Sequence, residues 1–169
     1  MRTLVLLCCA LPLLALRADE PFRVSSPVFA PRAAIPVEYS RRGGNLSPPL
    51  AFTAIPGGTK SLALVMDDPD VPAGDWIHWL VANIPPDTAQ LAAGKLPAGA
   101  VIGANSWSAA RYDGPQPPSG THRYMIRVYA LDATLSALES GFTQGQLADA
   151  MKGHVLAQAQ LEGTFTHGR

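Results

Sequence analysis

The side chains able to do chemistry concentrate in three short stretches: DDPDVP at 67–72, DWIHWLVANIP at 75–85 and YDGPQPPSGTHRY at 112–124. They supply two carboxylates (Asp68, Asp70), two imidazoles (His78, His122), an indole (Trp76) and a phenol (Tyr124). Imidazole N–H, phenolic O–H and the backbone N–H groups of a glycine-containing loop are hydrogen-bond donors that an anionic oxygen could use. Asp68 looks misplaced beside an anion, because unit charges about 4 Å apart interact by roughly 4 kcal/mol at an effective dielectric near 20. An imidazole next to it changes that, since the carboxylate fixes the tautomer and favours the protonated ring. If the ligand is an anion, its affinity is therefore expected to rise as pH falls through the histidine range near 6.5.

Each of these residues also has an ordinary structural role. A histidine among apolar strand residues is most often a satisfied core group, and aspartate beside proline is a common turn former. Two histidines and two aspartates also suit a divalent metal that would hydrolyse an ester. Against that enzyme stands the lack of an H-E-x-x-H motif or a nucleophile elbow, and Ser47 in GGNLSPP reads as a turn residue. Neither a metal nor a cofactor is expected.

The elements that must position these groups are strands. Proline (16) and glycine (15) interrupt short apolar runs throughout, which suits strands better than long helices. Ser61–Met66, Ile77–Asn83 and Arg123–Ala130 are rich in residues that favour a pleated surface. Val24–Phe29 and Val37–Tyr39 read as weaker strands. Thr143 with Gln146 forms a capping-box pattern that opens a helix to about Lys152, stopped by Gly153. A last strand follows at His154–Phe165. The expected fold is an antiparallel β-sandwich with one or two short helices.

Alternation along strands places Leu62, Leu64, Met66 and Asp68 on one face, and Trp76, His78, Leu80 and Ala82 on one face of the next strand. His122, Tyr124, Ile126 and Val128 share a face of the third. If the strands are neighbours, an acid and two imidazoles meet near one rim. Between them runs a long stretch, 105–121, without apolar periodicity. A loop of that length in a compact domain is usually functional or disordered, and its Trp107 and Tyr112 argue for order.

Residues 1–18 place Arg2 before an apolar run from Leu4 to Leu16 and end on Ala18, the layout of a secretory signal peptide. The run is too short to span a bilayer comfortably. Residues 19–169 are then one exported domain, expected in the periplasm. Both cysteines, Cys8 and Cys9, lie in the part removed, so that domain must be held by packing alone. Basic and acidic residues number 13 each, and losing Arg2 and Arg17 tips the balance slightly acidic. Such a surface does not suit nucleic acid.

Taken in order, DDPDVP, DWIHWLVANIP, YDGPQPPSGTHRY and the closing MKGHVLAQAQLEGTF resemble the signature segments of the phosphatidylethanolamine-binding (Raf kinase inhibitor-like) family, over about Ser25–Thr166. The signal peptide and shorter spacing resemble its bacterial branch. The resemblance implies Greek-key connections and a small pocket for phosphate, phosphoethanolamine or a similar anion, with no chemistry done on it. Its pocket would comprise Asp68, Asp70, Pro72, Trp76, His78, Gly114, Pro118, His122 and Tyr124. It also implies a homodimer and, in the interaction class, a protein partner such as a kinase or protease. One departure is Gln116, where bacterial relatives often carry cysteine; the exchange is expected to leave the anion site unchanged.

Overall fold

The structure, a computed structural model, describes residues 20–168 apart from Ala73. Residues 1–18, read from sequence as a signal peptide, lie outside the described residues. Among the described residues, eight strands form two antiparallel sheets. The smaller sheet has the order β1 (Arg23–Ser25), β2 (Leu50–Thr53) and β5 (Gln90–Leu91). The larger contains β3 (Ser61–Asp68), β4 (Trp76–Ile84), β6 (Val101–Ile102), β7 (Thr121–Leu131) and β8 (Val155–Thr166), in the order β6-β4-β3-β7-β8.

Two cores explain the strand composition. Between the sheets, Val24, Leu50 and Phe52 meet Leu62, Leu64, Met66, Trp79, Ile126 and Val128. On the opposite face of the larger sheet, Ala63, Val65, Leu80 and Ala82 pack against Leu135, Leu138, Phe142, Leu147 and Met151. The last two of these belong to α1 (Gln144–Met151). Every residue of β3 is therefore buried, which is why SLALVM is continuously apolar rather than alternating. A fully buried leucine in such a core contributes about 1.5–3 kcal/mol.

In the larger sheet, β7 lies beside β3, β3 beside β4 and β4 beside β6. That 4-1-2-3 order is a Greek key, with β5 as an excursion into the other sheet. Its long crossover is the stretch between β6 and β7, the one without apolar periodicity. The crossover thus returns to the centre of the sheet at the ends of β3, β4 and β7.

The capping box forms as expected: the Thr143 hydroxyl accepts from the Gln146 N–H, and the Gln146 side chain accepts from the Thr143 N–H. The first weak strand, expected over Val24–Phe29, starts one residue earlier and is shorter, pairing over Arg23–Ser25. Val37–Tyr39 is a single 3-10 turn instead of a strand. The Ser40 side chain bonds the Val37 carbonyl at 2.7 Å and the Gly43 N–H at 3.1 Å, winding the chain up locally. Glycine is needed there, because a Cβ at Gly43 would lie 1.9 Å from the Val37 oxygen.

Candidate functional site

The site begins with an irregularity between β3 and β4. Met66 pairs with Trp79 but Asp67 pairs with Ile77, so one residue of β4, His78, is extra. A bulge of this kind re-aims side chains. Leu80 and Ala82 go to the outer core, whereas Trp76 and His78 line a hollow with Asp68. The expectation that Trp76, His78, Leu80 and Ala82 share one face therefore fails at the bulge, and the bulge is what brings His78 to the site.

The crossover loop is stitched to this point. Ser106 accepts the Ile77 N–H with its hydroxyl at 2.8 Å and donates its own N–H to the Ile77 carbonyl at 2.9 Å. Asn105 accepts the N–H groups of Trp107 and Ala109, which sets Trp107 over the hollow. The fully buried Asp113 accepts from Asn105 (2.8 Å), Asn45 (3.1 Å) and Arg111 (3.0 Å) and lies 3.5 Å from Arg41. Burial alone would favour its neutral acid, but those hydrogen bonds outweigh burial and hold the carboxyl below its ordinary range. Gly114 closes the contact: a Cβ there would lie 2.2 Å from the Tyr39 oxygen.

The hollow has a volume of about 270 Å³. Trp76 and Trp107, with ring centroids 5.3 Å apart and nearly perpendicular, provide aromatic walls. Val71, Gln116 and Pro118 complete the rim. The Arg41 guanidinium lies 4.3 Å over the Trp107 ring and donates to the Gln116 side chain at 3.2 Å. Stacking of this type is favourable for arginine. Gln116 is thus part of the wall and a partner of its cation.

Asp68 accepts His122 Nδ1–H at 2.7 Å and the Asp70 N–H at 2.9 Å. His78 donates Nδ1–H to the Asp113 carbonyl at 2.6 Å, which leaves Nε2 an acceptor while the ring is neutral. Burial pushes the His78 pKa below its ordinary value of 6.5. At neutral pH its ring is uncharged, so His78 supplies no positive charge for an anion. Tyr124, fully buried and edge-on to His78 at 5.1 Å, has a hydroxyl without a hydrogen-bond partner. Burial and the nearby Asp68 carboxylate raise its pKa.

Of the residues expected from sequence, Asp68, Trp76, His78 and Pro118 line the hollow. His122, Tyr124 and Gly114 stand behind that lining. Asp70 is committed elsewhere: it binds the Arg123 guanidinium at 2.6 Å and the Arg123 N–H at 2.8 Å, which draws its carboxyl down to about 2. Pro72 is exposed, and its neighbour Val71 takes the rim. Sequence reasoning missed Arg41 and Gln116 as site residues and read Trp107 only as a sign of order.

Comparison with known proteins agrees with the fold. Residues 25–166 match the family model described as phosphatidylethanolamine-binding protein. A UPF0098 protein of Methanothermobacter thermautotrophicus is 48% identical over 145 residues, 83% of this chain and 95% of that protein. A Mycobacterium tuberculosis relative, LppC, named as a candidate lipoprotein, is 43% identical over 150 residues, 88% of this chain and 74% of its own. Among solved structures, the phosphatidylethanolamine-binding protein homologue CT736 of Chlamydia trachomatis superposes with a TM-score of 0.83 at 42% identity, covering 88% of this chain and 98% of its own. Escherichia coli YbcL, described as a new member of the mammalian PEBP family, gives 0.82 at 30% identity, covering 87% and 99%.

Proposed function

Because the chain belongs to the phosphatidylethanolamine-binding protein family, we propose that the hollow beside Asp68 binds a small phosphate-bearing ligand, such as inorganic phosphate or a phosphorylated head group, and does no chemistry on it. The observation that carries this reading is that Arg41 and Asp68 both line one open hollow walled by two indoles. Arg41 has spent Nε and one Nη on Asp113 and Gln116. A guanidinium has five N–H donors, so N–H groups remain for phosphate oxygens. A head group that also carries an ammonium would set it near Asp68 and the indole faces, which attract cations.

Binding without turnover fits the lining. Among the described residues its lining is built from Arg41, Asp68, His78, Gln116 and apolar side chains, which offer hydrogen bonds and stacking rather than a hydroxyl or thiol nucleophile. Export is part of the same reading. It is supported by the apolar 4–16 segment behind Arg2 and by the name of the LppC relative.

Calorimetric titration with inorganic phosphate and with O-phosphoethanolamine tests the reading. Saturable binding that Arg41→Ala weakens by about 10- to 100-fold is expected, the range for a lost charge-assisted hydrogen bond. No heat from either ligand, or equal binding by the variant, would refute it.

A further inference from the structure

A second hollow, of about 320 Å³, shares no lining residue with the first. The Asp113 network separates the two: Arg41 lines the first, while Arg111 and Asn45, on the same carboxylate, line the second. At the bottom lie two buried aromatic side chains, Trp79 and Tyr112, packed edge to face with centroids 5.5 Å apart. The mouth is flanked by Leu46, which is 46% exposed, and by half-buried Ile102. An exposed leucine over an aromatic floor leaves apolar surface for a ligand to cover.

Its charge is one-sided. Lys95 and Arg111 line it, and no lining residue is acidic. Asp113 offsets part of Arg111's charge, but the same carboxylate also faces Arg41. Lys95 and Arg111, with Asp113 shared between Arg111 and Arg41, leave an excess of positive charge at an apolar opening. The volume lies at the small end of the range for small-molecule sites, too small for a two-chain lipid.

We propose that this hollow is a separate binding site for a small apolar carboxylate, with its carboxylate at Lys95 and Arg111 and its hydrocarbon body against Trp79 and Tyr112. Fatty-acid and aromatic-acid ligands share that chemistry. The site is independent of the phosphate reading, because none of its residues belongs to the first hollow.

The chain's three tryptophans make the test direct, since Trp79 reports the second hollow and Trp76 and Trp107 report the first. The indole N–H signals of ¹⁵N-labelled protein are followed during titration with octanoate, 1-naphthoate and octylammonium. Octanoate and naphthoate are expected to move Trp79 saturably, and octylammonium is not. Lys95→Glu, at an exposed position, is expected to weaken octanoate about fivefold. The proposal is overturned if Trp79 stays still with both acids, if octylammonium binds as well as octanoate, or if Lys95→Glu binds octanoate unchanged. Movement confined to Trp76 and Trp107 would also overturn it, by placing the acids in the first hollow.

Discussion

Asp67 and Asp68 are consecutive on β3, almost equally buried, and opposite in what they do. Asp68 sits at the first hollow, with one oxygen on His122 and the other on a backbone N–H. Asp67 pairs with Arg127, and its Oδ2 is buried with no partner. Burial pushes the Asp67 carboxyl up to about 6, against the lowering effect of Arg127. Burial and a nearby cation are therefore not what distinguishes a site. What distinguishes Asp68 is an open volume in front of it, with a cation, a neutral imidazole and two indoles facing the same space.

A third acid, Asp113, gives the scale of the comparison because all its hydrogen-bonding needs are met inside the fold. Asp113→Ala strands Arg41, Asn45, Asn105 and Arg111 and is expected to cost about 3–5 kcal/mol in denaturant unfolding. A cost below about 1 kcal/mol would show that the network does not hold the crossover loop.

The next largest effect separates Asp67 from Asp68 by pH. The unfolded carboxyl loses its proton near 3.8 and the folded one near 6, so the native state holds more protons between these values. The stability contributed by the neutral acid is complete below about 4 and is lost as pH rises through 6. Asp67→Asn cannot ionise. Its stability relative to the parent should grow by on the order of 2 kcal/mol between pH 4 and pH 7, measured by urea unfolding. A constant difference would contradict the assignment, and phosphate affinity should be the same in both proteins.

Asp68→Asn should act on ligand choice. Removing the carboxylate takes away repulsion of inorganic phosphate and attraction for an ammonium. The ratio of O-phosphoethanolamine to phosphate affinity should fall about tenfold, or about 1.4 kcal/mol. An unchanged ratio would make Asp68 as structural as its neighbour.

The smallest effect concerns His78. Its folded pKa lies below 6.5, so the unfolded chain takes up the proton first. Its stability contribution is complete above the ordinary value and declines as pH falls below it. His78→Gln should flatten that decline. The neutral ring also alters the expected pH profile of binding: His78 contributes no positive charge, and so no gain in phosphate affinity, near its ordinary value.

Much of this was legible in the sequence, for definite reasons. Asp68, Trp76, His78, His122 and Tyr124 sit at the ends of strongly apolar strands, where a polar residue needs an explanation. The Thr143–Gln146 pattern is local and formed as read. The Greek-key crossover showed itself as a long stretch with aromatic residues and no periodicity. The bulge at His78 was not legible, because alternation assumes an uninterrupted ladder and a single extra residue reverses it. Arg41 was hidden for another reason: it reaches the site through a turn set by Ser40 and Gly43 and by contact with Gly114, across more than 70 positions of chain. Asp70 looked equivalent to Asp68 in spacing, and only the pairing with Arg123 tells them apart.

The central claim is that a phosphate-bearing ligand enters the hollow between Trp76 and Trp107. Titrating ¹⁵N-labelled protein with O-phosphoethanolamine while following the three indole N–H signals tests it most directly. The account predicts that Trp76 and Trp107 shift together and saturate with one affinity while Trp79 stays fixed. Still signals from Trp76 and Trp107 at saturating ligand, or a shift in Trp79 alone, would contradict it.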